Sequence, residues 1–533
     1  MHSLRRVFAA VAVVVVLAPL VASAPLFDPD EGLHAAIAQE MVRTGDYVTP
    51  KFLGEPFLDK PILFFWAEAA SLQLFGDTEA AVRLPPLLFG LAGMLSVALL
   101  ARALFGAATG LTSGIVYATM LVPFALSQVA VHDIGVVPFM CIAAWCLVRL
   151  AAADASPRLP RVVLFGVVAG ICLGLSILTK GLVAIVFAGV LCACLVVWRR
   201  PAFARLLVAL GVAVVVAAIV AAPWYVAMEH AHPGYLHYYF VERHVQGYLT
   251  ATQRHAGRPF WYYVPIVLGG ALPWALHLAG AARSAGKRPR RLVVWGWFAA
   301  GLVFLSAGES KLATYALPLF PAIAILIGDH LVEARPRAAI AMQVVFLAGL
   351  PAAALVAYQV RFEPVPAAAW LPIVVLGILT VDAGRRALKS ADGIAGVRWL
   401  AQACLCSLIA TMTLAPRLAS WMTAKDLAAV LNAAGTLPPR VLVLDERIGS
   451  LVFYLDPALR AEATRDRLTE ASFAEAMAGV RHDPDETVLA VRNDYLSRFN
   501  RLFRTAPIPG ARAGTFSVFR IAELRDTLQP RKP

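Results

Sequence analysis

The residues best placed to do chemistry are Asp30 and Glu31, together with Asp59 and Lys60, which stand near the two ends of a polar stretch, residues 28 to 61, between long apolar runs. A carboxylate can orient or deprotonate a hydroxyl, and a lysine can neutralise a departing anion. Further candidates flank other apolar runs: His132 and Asp133; Glu242, Arg243, His244, Arg254, His255 and Arg258; and the lone bases Lys180 and Lys311. Charges beside membrane spans are costly to bury, so acids and bases recurring at span ends point to one polar cavity at a membrane face. Read singly, Lys180 and Lys311 are lysines that snorkel to the interface, and His132 and His244 are satisfied polar residues.

Several elements must position these groups. Asp28 is expected to cap a helix with Pro29 at its first position, Glu31 completing the capping pattern and Gly45 stopping it. Leu33, Ile37 and Met41 share one face of that helix, which would lie on the bilayer with Asp30 in its first turn. The part around Gly54, Pro56 and Asp59-Lys60-Pro61 lacks a period and reads as a loop. Hydrophobic residues make up 60% of the chain and charged residues 15%, and the mean hydropathy is +0.71. These values describe a polytopic α-helical membrane protein. The net charge of +13 comes from basic clusters between apolar runs, which fits positive-inside topology and argues against nucleic acid as a partner. The seven cysteines all fall in apolar runs without paired spacing and read as packing residues.

Apolar runs follow residues 7 to 26, which read as an uncleaved first span, and centre near Leu95, Ile115, Ile142, Gly170, Gly189, Val214, Leu268, Phe298, Ala324, Phe346, Val375 and Leu408. At roughly 20 residues each they give about thirteen spans. The basic clusters then put the N-terminus in the cytoplasm and the C-terminus outside it. Two long outer loops, 27–83 and 229–259, form the expected active-site face of a membrane domain 1–423. Residues 424–533 read as a small extracytoplasmic α/β domain, with strands at Val441 to Leu444, Leu451 to Leu455, Val488 to Val491 and Phe516 to Ile521, and helices near Leu427 to Ala434 and Ala471 to Val480.

The run DPDEGLHAAIAQEMVRTGDYVTPKFLGEPFLDKPILFFW, followed by LFGDTEAAVRLP, resembles the first outer loop of the aminoarabinose transferases. These are membrane glycosyltransferases of the GT-C type, related to protein O-mannosyltransferases. VHD at 131–133, RPFWYYVPIVLGGALPW at 258–274 and SKLATYALPLFPAIAILIG at 310–328 match in order. The resemblance implies transfer, with inversion, of a sugar from a polyprenyl (undecaprenyl) phosphate to an envelope acceptor at the outer face of the inner membrane. It implies Asp30 and Asp133 as catalytic carboxylates, Lys60 with Arg254 or Arg258 as phosphate contacts, and Asp59 with His255 as ligands of a possible divalent metal. The family places a base three residues after its first-loop aspartate, where this chain has Leu33, and His34 could supply part of that charge. The departure leaves lipid A, protein or another envelope glycan open as acceptor. A transporter or flippase of lipid-linked sugars is the alternative reading, although it calls for ionisable groups near the bilayer midplane, and the expected spans carry few.

Overall fold

The computed structural model describes residues 5–6, 8–12, 24–153, 157–250, 257–334, 336–362, 364–390, 392–503 and 507–525. Apolar runs become helices because a helix satisfies every backbone group without water. Among the described residues, nine helices are long and apolar enough to cross a membrane, and two bent pairs raise the number to 11 if each is one span. Each of the twelve apolar centres from Leu95 onward falls on a helix. The run around Ile115 bends by 68° between Ala118 and Leu121, and the run around Leu268 bends by 101° between Gly270 and Trp274. Gly189 sits on a shorter apolar helix, Val183–Trp198. Most of the expected first span lies outside the described residues.

The chain divides into two compact units: Met1–Ala22 with Leu58–Phe64 and Arg83–Leu414, and Ser23–Phe57 with Phe65–Val82 and Ala415–Pro533. The second unit thus holds most of the first outer loop as well as the C-terminal region. In the first unit, helix Leu159–Lys180 carries Gly166, Gly170 and Gly174 along one face, against helix Phe203–Ala231. A methyl added at these glycines would stand 2.8, 2.7 and 3.0 Å from the carbonyl oxygens of Ala209, Ala213 and Ala217. This small-xxx-small stripe lets the two backbones touch, and it fixes where Lys180 and Gly181 emerge.

In the second unit the first-loop helix runs Asp30–Thr44, one residue later than a cap at Asp28 requires. Asp28 does not cap it. Its carboxylate is buried and accepts hydrogen bonds from the Ser450 amide, at 3.0 Å, and the Ser450 hydroxyl. Gly45 ends the helix in the left-handed conformation, as expected, its amide donating to the Met41 carbonyl at 2.9 Å. Instead of laying one face on a bilayer, the helix buries Glu31, His34, Ile37 and Met41 and packs on helix Gly449–Tyr454. That second helix occupies the run expected to be a strand from Leu451. A short apolar run does not distinguish the two states, and here Gly449 lets its backbone meet Gly32 and Leu33.

A five-stranded sheet completes the unit, ordered Leu468–Ala471, Val441–Leu444, Val488–Arg492, Phe516–Arg520, Ala511–Ala513. The first three strands are parallel and the last two pair antiparallel. Leu442, Leu489, Phe499 and Phe519 fill the core on it.

Burial pushes the Asp28 carboxyl up from 3.8 to about 7, against the lowering effect of the Ser450 bonds. The native state therefore holds a proton that the unfolded chain loses near pH 4. This contribution is favourable at low pH and is lost as pH rises towards 7. Asp28→Asn should flatten the fall in unfolding temperature between pH 4 and pH 7; an unchanged pH profile would show that Asp28 is not its source.

Candidate active site

A cavity of about 230 Å³ opens in the first unit, with acids, bases and a histidine brought to it from four separate parts of the chain. Asp59 and Lys60 come from the loop segment of this unit. Asp133 comes from the turn His132–Gly135 that opens helix Val136–Ala151, and Lys180 from the last turn of helix Leu159–Lys180. Arg243 and His244 come from a π-helix, His237–Gln246. Such wide turns are uncommon and recur at functional sites. Tyr239, Tyr248, Tyr263 and Tyr315 supply aromatic walls, and Val136, Val183, Leu305 and Pro318, from helical segments of the membrane region, make the remaining wall apolar.

The charges in this cavity are almost completely paired. Asp133 is ion-paired with Lys180, whose ammonium also lies 4.5 Å from the Tyr315 ring centroid. Asp59 pairs with Arg243 at 3.2 Å through one oxygen and accepts from the Tyr238 hydroxyl at 2.7 Å through the other. Burial and the adjacent Asp59 push Tyr238 up to about 12, so its phenol stays protonated and donates. Lys60 is the exception. Its ammonium makes no hydrogen bond or ion pair among the described residues, yet it acts electrostatically on both Asp133 and His244. Three cations (Lys60, Lys180, Arg243) face two carboxylates (Asp59, Asp133), which leaves one positive charge, and it resides on Lys60.

His244 is held by its Nδ1, 2.7 Å from the Tyr239 carbonyl oxygen. A carbonyl only accepts, so Nδ1 carries the hydrogen and a neutral ring leaves Nε2 as acceptor. Burial lowers the His244 pKa, with Arg243 and Lys60 adding to it against the opposing Tyr239 bond. The ring is therefore neutral near pH 7. Gly181 makes room for it: a Cβ there would collide with Nε2 and lie 2.9 Å from Cε1, and its φ of +80° disfavours any other residue.

Of the residues given catalytic, phosphate or metal roles from the sequence, Asp59, Lys60 and Asp133 line this cavity. Asp30 belongs to the second unit, where it is exposed in the first turn of its helix without a hydrogen bond or ion pair among the described residues. His34 is buried three residues after Glu31, its ring centroid 5.6 Å from that of Phe65 in an edge-to-face contact. Arg258 is exposed, with its guanidinium 5.6 Å from the Tyr262 ring and its carbonyl accepting from Lys311 at 3.2 Å. Arg254 and His255 lie outside the described residues. The fourth loop instead brings Arg243 and His244 to the cavity, and Lys180 turns inward to Asp133 where snorkelling to the interface was expected. One sign of that was available: a single lysine closing a long apolar run directly before a glycine. Both oxygens of Asp59 are engaged, and among the described residues no group of three or more His, Cys, Asp or Glu side chains converges.

Comparison with known proteins follows the same lines. Residues 59–226 match the family described as dolichyl-phosphate-mannose-protein mannosyltransferase, a stretch that contains Asp59, Lys60, Asp133 and Lys180. The undecaprenyl phosphate-alpha-4-amino-4-deoxy-L-arabinose arabinosyl transferase of Aeromonas salmonicida is 34% identical over 325 residues, 59% of this chain and 58% of that one. Its counterpart in Erwinia tasmaniensis is 34% identical over 310 residues, 57% and 55% of the two chains. The chain thus spans little more than half the length of the curated relatives it matches. The crystal structure of ArnT from Cupriavidus metallidurans bound to undecaprenyl phosphate superposes with a TM-score of 0.77 at 23% identity, covering 98% of both chains. The fold is that of the aminoarabinose transferases. Within the aminoarabinose transferase fold, the long membrane helices and the small strand-containing C-terminal region both have counterparts, since the superposition takes in nearly the whole chain.

Proposed function

We propose that this chain is an inverting membrane glycosyltransferase that moves a sugar from a polyprenyl phosphate to an acceptor of the cell envelope. The observation that carries the reading is Lys60, whose ammonium makes no hydrogen bond or ion pair among the described residues in a cavity whose other charges are paired. In the reaction, the acceptor oxygen forms a bond to the anomeric carbon as the carbon–oxygen bond to phosphate breaks. The leaving phosphate gains a negative charge, and Lys60 stands to neutralise it at little reorganisation cost. Arg243, with one edge on Asp59, has further N–H groups to offer the same anion. The apolar wall of Val136, Val183, Leu305 and Pro318 suits the first isoprenoid units of a lipid donor.

Asp30 is the acceptor-side carboxylate in this account. Asp59 and Asp133 are both ion-paired and serve to hold Arg243 and Lys180. Asp30, exposed and without a hydrogen bond or ion pair among the described residues, is available to orient or deprotonate an incoming hydroxyl, and a phosphate acceptor needs only its orientation. A lipid A phosphate is one candidate acceptor, while the mannosyltransferase family match keeps a protein hydroxyl in play. The basic clusters support an N-terminus in the cytoplasm and a C-terminal domain in the periplasm of an inner-membrane protein. Mass spectrometry of lipid A and envelope glycoproteins from cells with and without the chain tests the reading. A sugar increment that depends on the chain is expected, and unchanged glycans would overturn it.

Gly181 gives a further prediction. A side chain at this position displaces His244 from the cavity wall, and misplacing a lining group by about 1 Å costs about 10²-fold in rate. Gly181→Ala should therefore lower kcat/KM for the donor by that order without unfolding the membrane region. Wild-type kinetics in this variant would show that the His244 position does not matter.

A further inference from the structure

We propose that His244 takes up a proton from solvent on Nε2 when a lipid phosphate enters the cavity, and that the new N–H donates to a phosphate oxygen. This rests on the reading of the cavity as a phosphate site, and it adds a residue and a proton to that reading. Three observations carry it. Nδ1 is committed to the Tyr239 carbonyl at 2.7 Å, so any added proton must go to Nε2. Nε2 makes no hydrogen bond among the described residues, and His244 is one of the groups lining the cavity. Two of the groups that oppose its protonation, Arg243 and Lys60, are those that an incoming phosphate would neutralise.

The groups facing the ring define the sign of the effect. Lys60 faces it from the loop segment, Arg243 and Tyr239 from its own helix, and Gly181 from the corner after Lys180, whose charge is taken by Asp133. With the cavity empty, the nearest charges are cations and the ring is neutral. An anion between Lys60 and Arg243 reverses the local field, and Nε2 becomes basic at neutral pH. Phosphate and proton then bind as a linked pair, so each favours the other. The lipid phosphate product would be held more tightly at low pH and released more readily as pH rises.

Calorimetric titration of the full-length chain in detergent with a short-chain polyprenyl phosphate, in two buffers of different ionisation enthalpy at pH 7, counts the protons taken up. The wild type should take up more than His244→Gln, with a difference approaching one proton, and its affinity should fall more steeply with pH, by up to about tenfold per unit. The second ionisation of the phosphate itself, near pH 6, is common to both proteins and cancels in the difference. His244→Asn, which retains an N–H for the Tyr239 carbonyl, serves if the glutamine variant does not fold. Equal proton uptake with intact binding overturns the inference and leaves the phosphate site standing. A wild-type chain that binds no lipid phosphate overturns the phosphate site and the inference together.

Discussion

Lys60→Ala is expected to lower kcat/KM for the lipid-linked donor by about 10²–10³-fold, the usual cost of removing a charge stabiliser from a leaving group. The size follows from the charge tally of the cavity. Every other cation there has a carboxylate partner, so truncating Lys60 removes the net positive charge, and the ion pairs that remain cannot relax into its place without leaving Asp59 or Asp133 uncompensated. Fold and insertion should be unaffected, because Lys60 holds no other side chain through a hydrogen bond or ion pair among the described residues. Lys60→Arg should recover part of the loss, since the charge returns with a different reach and geometry. Alanine kinetics equal to wild type would remove Lys60 from the site.

Asp30→Asn should reduce kcat by about 10²–10⁴-fold when the acceptor is a hydroxyl, with the donor KM little changed. The substitution removes a charge and keeps the shape, and Asp30 is exposed at the first turn of its helix, so the packing of that helix on Gly449–Tyr454 is not disturbed. A much smaller loss with a phosphate acceptor would follow from the same role, because a phosphate oxygen needs orienting but not deprotonating. A loss confined to donor KM would instead move Asp30 to the donor side.

Different parts of the molecule are legible in the sequence to different degrees. Apolar length and composition suffice to find membrane helices, because the bilayer imposes one rule on all of them, and each of the twelve runs from Leu95 to Leu408 is helical. What composition does not convey is continuity: the bends after Ala118 and Gly270 leave the apolar runs unbroken. In the second unit, the Asp28-Pro29 pair satisfies the local pattern for a cap, yet a long-range partner, Ser450, claims the carboxylate. The strand expected at Leu451 failed for a related reason, since a six-residue apolar helix packed on another helix has no sequence period of its own.

The site divides in the same way. Lys60 and Asp133 were legible because charges beside apolar runs stand out. Arg243 and His244 were visible as charges, but their competition with Arg254, His255 and Arg258 could not be decided by pattern. The π-helical turn that carries them to the cavity is set by tertiary packing around Tyr225, Tyr235 and Tyr239. Lys180 was hidden by a general rule about lysines at span ends, which Asp133 overrides by supplying an inward counter-ion.

The central claim is that the cavity breaks a bond between a sugar and a lipid phosphate. The most direct measurement reconstitutes the purified chain in liposomes with a radiolabelled polyprenyl phosphate sugar and an envelope acceptor extract, and follows free polyprenyl phosphate over time. Release of free polyprenyl phosphate in step with labelling of the acceptor, lost in Lys60→Ala, is the predicted result. Movement of intact donor from one leaflet to the other without release of free phosphate would contradict it and make the chain a transporter.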